Sequence, residues 1–226
     1  MLGTFVNVGT ILLGSLIGSV LKKGIKEKYQ SALYTAMGLS ACLIGINAVV
    51  SHMSQSEYPV LFIVSLALGS LLGTVLNLEE RFQNLVNKKS KSNLGQGLST
   101  GILLYCIGTL SILGPVMAAV SQDYTYLFTN ATLDLVTSMV LASTYGFGMM
   151  LAAPVLLCWQ GSIYLVAKYL SASFFSESLL AELSIVGGIL IFASGLNILN
   201  IKNCKTLNML PSLLIPILFF VIRMFI

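Results

Sequence analysis

The sequence predicts an all-α, polytopic transmembrane bundle of about eight spans, and three observations lead there. Charged residues are 9 % of the 226, against 56 % apolar, whereas a soluble domain carries about 25 % charge. A chain this short buries too little of itself to hide that much apolar surface in a soluble core. The apolar runs continue for about twenty residues, the length a helix needs to cross hydrocarbon, and lack the short alternation of a barrel strand. Backbone polar groups in lipid must be satisfied within the segment, so unbroken runs read as helices.

Taken in order, the predicted spans lie near residues 2–21, 32–50, 59–77, 97–120, 126–147, 149–169, 183–200 and 207–226, within a single transmembrane domain covering 1–226. The first run lacks the basic segment that precedes a signal-peptide core, so it reads as retained. Between spans three and four, residues 78–96 form the one extended polar stretch. Leu78, Phe82, Leu85 and Val86 recur there at helical spacing, as in a short amphipathic interfacial helix. The join between spans five and six carries Gly146, Gly148 and Pro154. These weaken regular helix and leave open two joined helices or a broken one.

Charge sets the expected orientation. Lys22, Lys23, Lys26 and Lys28 fill the first loop, Arg81, Lys88, Lys89 and Lys91 the third, and Lys202 and Lys205 the last. Residues 51–58 and 121–125 contain no Lys or Arg. The positive-inside rule places the basic loops in the cytoplasm and the N-terminus outside. The net charge of +4 is therefore a topology signal, and no nucleic-acid partner is expected from lysines scattered over short loops. The four cysteines, Cys42, Cys106, Cys158 and Cys204, are isolated and read as buried thiols.

Spans two and seven share a pattern. Gly38, Gly45 and Asn47 align with Gly188, Gly195 and Asn197, and Pro59 and Pro211 open the following spans. Under the expected topology these copies run in opposite directions. That suggests an inverted repeat of spans 1–3 and 6–8, the plan of many secondary transporters. Glycine pairs two turns apart are also ordinary helix packing. Gly14 and Gly18 in span one and Gly69 and Gly73 in span three suit a tight pairing of those two spans or a homodimer seam.

Asp134 lies inside an apolar run, where a charge is costly and its default reading is functional. Helical spacing places Asn130, Asp134, Thr137, Ser138 and Tyr145 on one stripe. Asn7, Asn47 and Asn197 are further amides within spans, able to ligate a polar solute or to bond neighbouring helices. The expected substrate or ion site is thus Asp134, Asn130, Ser138, Asn47, Asn197 and Asn7. Asp134 and Glu182 are the carboxylates near spans available for pairing. No phosphate loop, zinc-protease motif or serine elbow is present, and a single histidine leaves little catalytic material. No enzyme activity, metal or cofactor is expected.

The segments "GTFVNVGTILLGSLIG", "GTLSILGPV", "TLDLVTSMVLASTYGFG", "VGGILIFASGLNIL" and "NMLPSLL" together resemble the YqgA/YdfK-like family of uncharacterised prokaryotic membrane proteins, a domain of unknown function. The resemblance implies a bacterial cytoplasmic membrane location and carries no activity with it. It also implies a Lys-Ser pair ahead of the aspartate, where this chain has Asn130 and Ala131. Asp134 is then expected to use a partner other than that lysine. The expected function is transport of an ion or small polar solute, by a secondary transporter or channel. The alternative is a non-transporting oligomeric scaffold or sensor. The candidate partners are the lipid bilayer, a small cation or polar solute, and a second copy of the chain.

Overall fold

The computed structural model describes residues 1–21, 26–87, 94, 98, 101, 102, 104–106, 109–169 and 176–225. Lys22, Lys23, Lys88, Lys89 and Lys91, and the start of the fourth predicted span, lie outside them. The described elements are helical: α1 (Leu2–Val20), α2 (Glu27–Met53), α3 (Leu61–Val75), α4 (Leu78–Asn87), α5 (Thr109–Val120), α6 (Thr125–Tyr145), α7 (Ala152–Tyr169), α8 (Glu177–Ile198), α9 (Thr206–Met209) and α10 (Leu214–Phe225). Short 3-10 turns at Phe147–Leu151 and Leu210–Leu213 lead into α7 and α10.

Among the described residues, five helical stretches are long and apolar enough to cross a membrane: Leu2–Val20, Glu27–Met53, Phe147–Tyr169, Ser178–Ile198 and Thr206–Arg223. Leu61–Val75 and Leu104–Val120 are apolar but shorter. At 1.5 Å per residue, a 15-residue helix reaches only about 22 Å. The 21-residue α6 has the length, but carries Asn130 and Asp134 in its middle.

The chain forms two compact units. One comprises Met1–Tyr34 and Gln83–Ser171, the other Thr35–Phe82 and Ala172–Ile226. In the first unit α1 packs along α6, and glycine makes the close approach possible. A Cβ at Gly14 would strike the Leu135 carbonyl, and one at Gly18 the Met139 backbone. Gly3 faces Leu127, so positions rise together and the two helices run parallel. Asn7 and Ile11 complete this buried stripe of α1. Behind it, Ile11, Tyr105, Cys106, Leu141, Met149 and Leu156 form an apolar core. The join left open by the sequence resolves as a break. Gly146, at φ +85°, occupies a region that costs other residues energy, and the 3-10 turn redirects the chain into α7.

In the second unit, α8 is buried on nearly every side. Its N-terminus is capped by Ser176, whose hydroxyl accepts from the Leu179 amide at 3.2 Å, satisfying one of the orphan donors of the first turn. α2 and α8 cross through the glycines matched in sequence. Gly38 lies against Gly195 and Leu199, and Gly45 against Gly188 and Phe192. One series rises while the other falls, so these helices are antiparallel. The glycines of α3 pack within this unit too, Gly69 on Ser212 and Gly73 on Asn208. The expected pairing of span one with span three is thus replaced by two separate seams: Gly14 and Gly18 on α6, Gly69 and Gly73 on residues 208–212. Asn208 also accepts from the Glu79 amide at 2.9 Å, capping α4 where it follows α3. Burial at that contact raises the Glu79 carboxyl above its usual range, against the opposing pull of Lys205. Of the cysteines, Cys42 and Cys106 are buried as expected, Cys204 is half-buried, and Cys158 is exposed.

Candidate functional site: a buried aspartate in the first unit

The middle of α6 brings polar groups into an apolar interior. Asp134 is 4 % exposed. Its Oδ2 accepts from Asn130 Nδ2 at 2.9 Å, four residues earlier on the same helix. The i, i+4 spacing of the sequence stripe makes this bond, and it supplies the partner that the missing Lys-Ser pair leaves to be found.

The glycine stripe of α1 brings a second amide to the aspartate. Asn7 is fully buried and interacts with the Asp134 carboxyl, although its Nδ2 falls outside ordinary hydrogen-bond geometry. Its Oδ1 accepts from Thr10 Oγ1 at 3.3 Å. One turn before it, Thr4 is fully buried, its hydroxyl without a partner among the described residues. On the next turn of α6, Ser138 shares a 2.9 Å hydrogen bond with the Tyr105 hydroxyl. Tyr105 and Cys106 both lie within the electrostatic reach of Asp134.

The predicted residues therefore divide. Asn7, Asn130, Asp134 and Ser138 belong to the first unit and line one buried polar stripe. Asn47 and Asn197 belong to the second unit. Asn47 is exposed, and Asn197 Oδ1 accepts from the Cys204 amide at 2.7 Å, holding the turn that follows α8. Thr137 is buried on α6. Tyr145 packs against the apolar core.

A family model described as protein of unknown function (DUF554) matches residues 2–221. The chain belongs to this family. It is 59 % identical over 226 residues to the uncharacterized membrane protein YdfK of Bacillus subtilis, covering 100 % of this chain and 98 % of that one. It is 29 % identical over 227 residues to the uncharacterized protein YqgA of Escherichia coli K12, covering 95 % and 94 %. No solved structure matches. With a relative so named over its full length, and apolar helices of spanning length, this DUF554 chain is a helical membrane protein.

Three further buried polar residues of this DUF554 member were not singled out from sequence. Tyr105 is fully buried beside Ser138. Gln160 on α7 donates to Ser111 Oγ on α5 at 3.0 Å, while its own Oε1 is buried without a partner among the described residues. Gln160 interrupts the run "LLCWQG", and the rule that singled out the span asparagines applies to it equally. Ser111 and Tyr105 carry no such signal, because serine and tyrosine are common in membrane helices.

Chemically, the stripe is an all-oxygen and amide environment around one acid. Among the described residues no three His, Cys, Asp or Glu side chains gather. Hydroxyl, amide-carbonyl and carboxylate oxygens suit hard cations. Among the described residues the one ion pair joins Glu57 and Arg223, and none of their lysines or arginines pairs with Asp134.

Proposed function

We propose that this protein transports an ion across the bacterial cytoplasmic membrane, as a small secondary transporter or channel, with Asp134 holding the transported charge. The observation that carries this reading is the buried Asp134, bonded to Asn130 and forming no ion pair among the described residues. An isolated buried carboxylate is costly, and a proton or a bound cation removes that cost. One acid matches one monovalent charge. Asn130, Asn7 and Ser138 supply neutral polar atoms that can replace water around a passing ion.

Two further features support the reading. The lysine distribution favours a chain with its basic loops in the cytoplasm and its N-terminus outside. The matched glycines of α2 and α8, on helices that run antiparallel, suit an inverted repeat of spans 1–3 and 6–8 within an eight-span bundle. A scaffold or sensor that oligomerises through glycine faces is less favoured, because Gly14, Gly18, Gly45, Gly69 and Gly73 all face residues of their own unit.

The test is flux. Protein reconstituted in proteoliposomes should move an alkali cation or protons faster than empty vesicles do, and Asp134→Asn should remove that flux while the protein still folds. Wild-type vesicles indistinguishable from empty ones across a broad panel of ions and solutes would end the transport reading. A cellular phenotype that survives Asp134→Asn would favour the scaffold.

A further inference from the structure

One end of the second unit gathers the turn before α3, the start of α8 and the end of α10. The turn is held from beneath. Glu182 of α8 is fully buried, and its Oε1 accepts from Ser56 Oγ at 2.5 Å and from the Tyr58 amide at 3.2 Å. Ser56 and Tyr58 are thus tied inward, and Glu57 between them is left facing outward, about half exposed.

Glu57 Oε2 pairs there with Arg223 Nη1 at 3.0 Å, and its Oε1 accepts from Ser178 Oγ. The Arg223 guanidinium lies over the Tyr58 ring, 5.4 Å from its centroid, in cation–π range. The pair is fixed in place but not saturated. Among the described residues Arg223 donates from Nη1 alone, which leaves its other N–H groups for a further acceptor. Each Glu57 oxygen accepts one hydrogen bond and keeps a lone pair for a further donor.

Two cavities open at this pair, and Glu57 lines both. One, of ≈270 Å³, is polar, lined by Glu57, Ser176, Ser178 and Arg223 with Phe220. The other, of ≈350 Å³, is apolar, lined beside Glu57 by Tyr58, Pro59, Val60, Leu61, Val64 and Phe219. The Tyr58 ring packs edge-on against Phe219 and Phe220, with centroids 4.8 and 5.9 Å away, so one aromatic cluster borders both. Ser178 begins one helical stretch of spanning length and Arg223 ends another. The polar cavity therefore lies where hydrocarbon gives way to head groups, the level that aromatic side chains favour. The apolar cavity follows the first turn of α3 away from that level.

We propose that this end of the second unit binds a phospholipid with an ethanolamine head group, its chain in the apolar cavity and its head on the Glu57–Arg223 pair. The head class follows from the charges. One anion and one cation line the polar cavity, which matches a head carrying one charge of each sign. A purely anionic head would meet Glu57 with nothing to balance it. Arg223 places the phosphate, helped by the start of α8, where helix amides favour anions. Glu57 places the ammonium. A primary ammonium donates charge-assisted hydrogen bonds to a carboxylate, whereas the methylated ammonium of choline carries the same charge and donates none. The site lies wholly within the second unit and stands whether or not the protein transports an ion.

Competition between head groups tests it. Full-length protein in detergent receives equimolar phosphatidylethanolamine, phosphatidylcholine and phosphatidylglycerol with identical chains, and native mass spectrometry counts the lipid retained. The ethanolamine lipid should be retained about fivefold over either competitor, the order of one net hydrogen bond. Glu57→Gln should bring the ethanolamine and choline lipids to parity. Arg223→Gln should lower retention of all three, because each carries the phosphate. Equal retention of the three lipids by the wild type, which needs no variant to fold, would overturn the site. So would an ethanolamine preference that survives in folded Glu57→Gln, or a lipid-free dimer, which would give this face to a second copy. Soluble phosphoethanolamine, a head without chains, should not displace the lipid at equal concentration. Displacement would overturn the lipid assignment in favour of a free ligand in the polar cavity.

Discussion

The two units solve the same problem by different means. Each buries one acid with no cationic partner among its described residues, and each is closed by a glycine seam. In the first unit the seam joins parallel helices, and the acid takes its hydrogen bond from a helix position, Asn130 one turn away, with Asn7 brought near it across the seam. In the second the seam joins antiparallel helices, and the acid takes its donors from a loop, Ser56 and the Tyr58 amide. Helix geometry fixes Asp134 along with the backbone. Glu182 is held by a three-residue latch whose outer face depends on the Glu57–Arg223 pair. The difference teaches that an acid held by helices should fail only with its neighbours, whereas an acid held by a latch can be loosened from outside.

The sharpest way to break the comparison is at a seam. Gly45→Leu drives a side chain into the Gly188 carbonyl and the Phe192 backbone, where neither neighbour can rotate away. Overpacking costs about 1–3 kcal/mol and occasionally more, and rigid backbone puts this case at the upper end. Loss of the monodisperse peak in size-exclusion chromatography is expected. Gly9→Leu, at a glycine with open space around it, should leave that peak intact.

Next comes the acid of the first unit. Asp134→Asn should lower ion flux more than about tenfold, comparable to losing one charged hydrogen bond of ~1.5–3 kcal/mol, and initial rates in proteoliposomes measure it. A smaller effect is expected for Asn130→Ala, which removes the amide donor and leaves the carboxylate in place. The stability cost should be about 1–3 kcal/mol for the bond left unmade, visible as a lower midpoint in detergent melts, with flux reduced but present.

The smallest effect belongs to the latch. The Ser178 hydrogen bond, then Arg223, holds the exposed Glu57 carboxyl below its usual range. A depressed carboxylate contributes its stability fully above its unfolded pKa of about 4.3 and loses it as pH falls through the lower folded value. Glu57→Gln should therefore leave a slight loss of stability near neutral pH that narrows below about pH 4. Parallel melts of wild type and variant across pH 3–7 check this, and a gap that widens on acidification would contradict it.

How much was legible depends on how far apart the partners are in the chain. Asn130 and Asp134 could be paired from spacing alone, because four residues make one turn. The break at Gly146 was visible as a cluster of residues that disfavour helix, though its form was not. Tyr105 was hidden: a tyrosine in an apolar run says nothing of which helix it faces, and its bond to Ser138 spans 33 residues. Asn47 and Asn197 matched in sequence yet differ in role, since a position beside a helix end made Asn197 a bond to a turn. The glycines were read correctly as close-packing residues. Their partners were not, because a small residue announces a near approach without naming what approaches.

The crossing of α2 and α8 pairs the matched glycines in crossed order. Gly38 meets Gly195 and Gly45 meets Gly188, while in sequence Gly38 corresponds to Gly188 and Gly45 to Gly195. Each glycine thus meets the match of the other glycine on its own helix, a self-complementary contact pattern of the kind a two-fold axis makes. A half-length chain bearing one Gly-x6-Gly helix would make this seam with a second copy of itself, provided the two were inserted in opposite orientations.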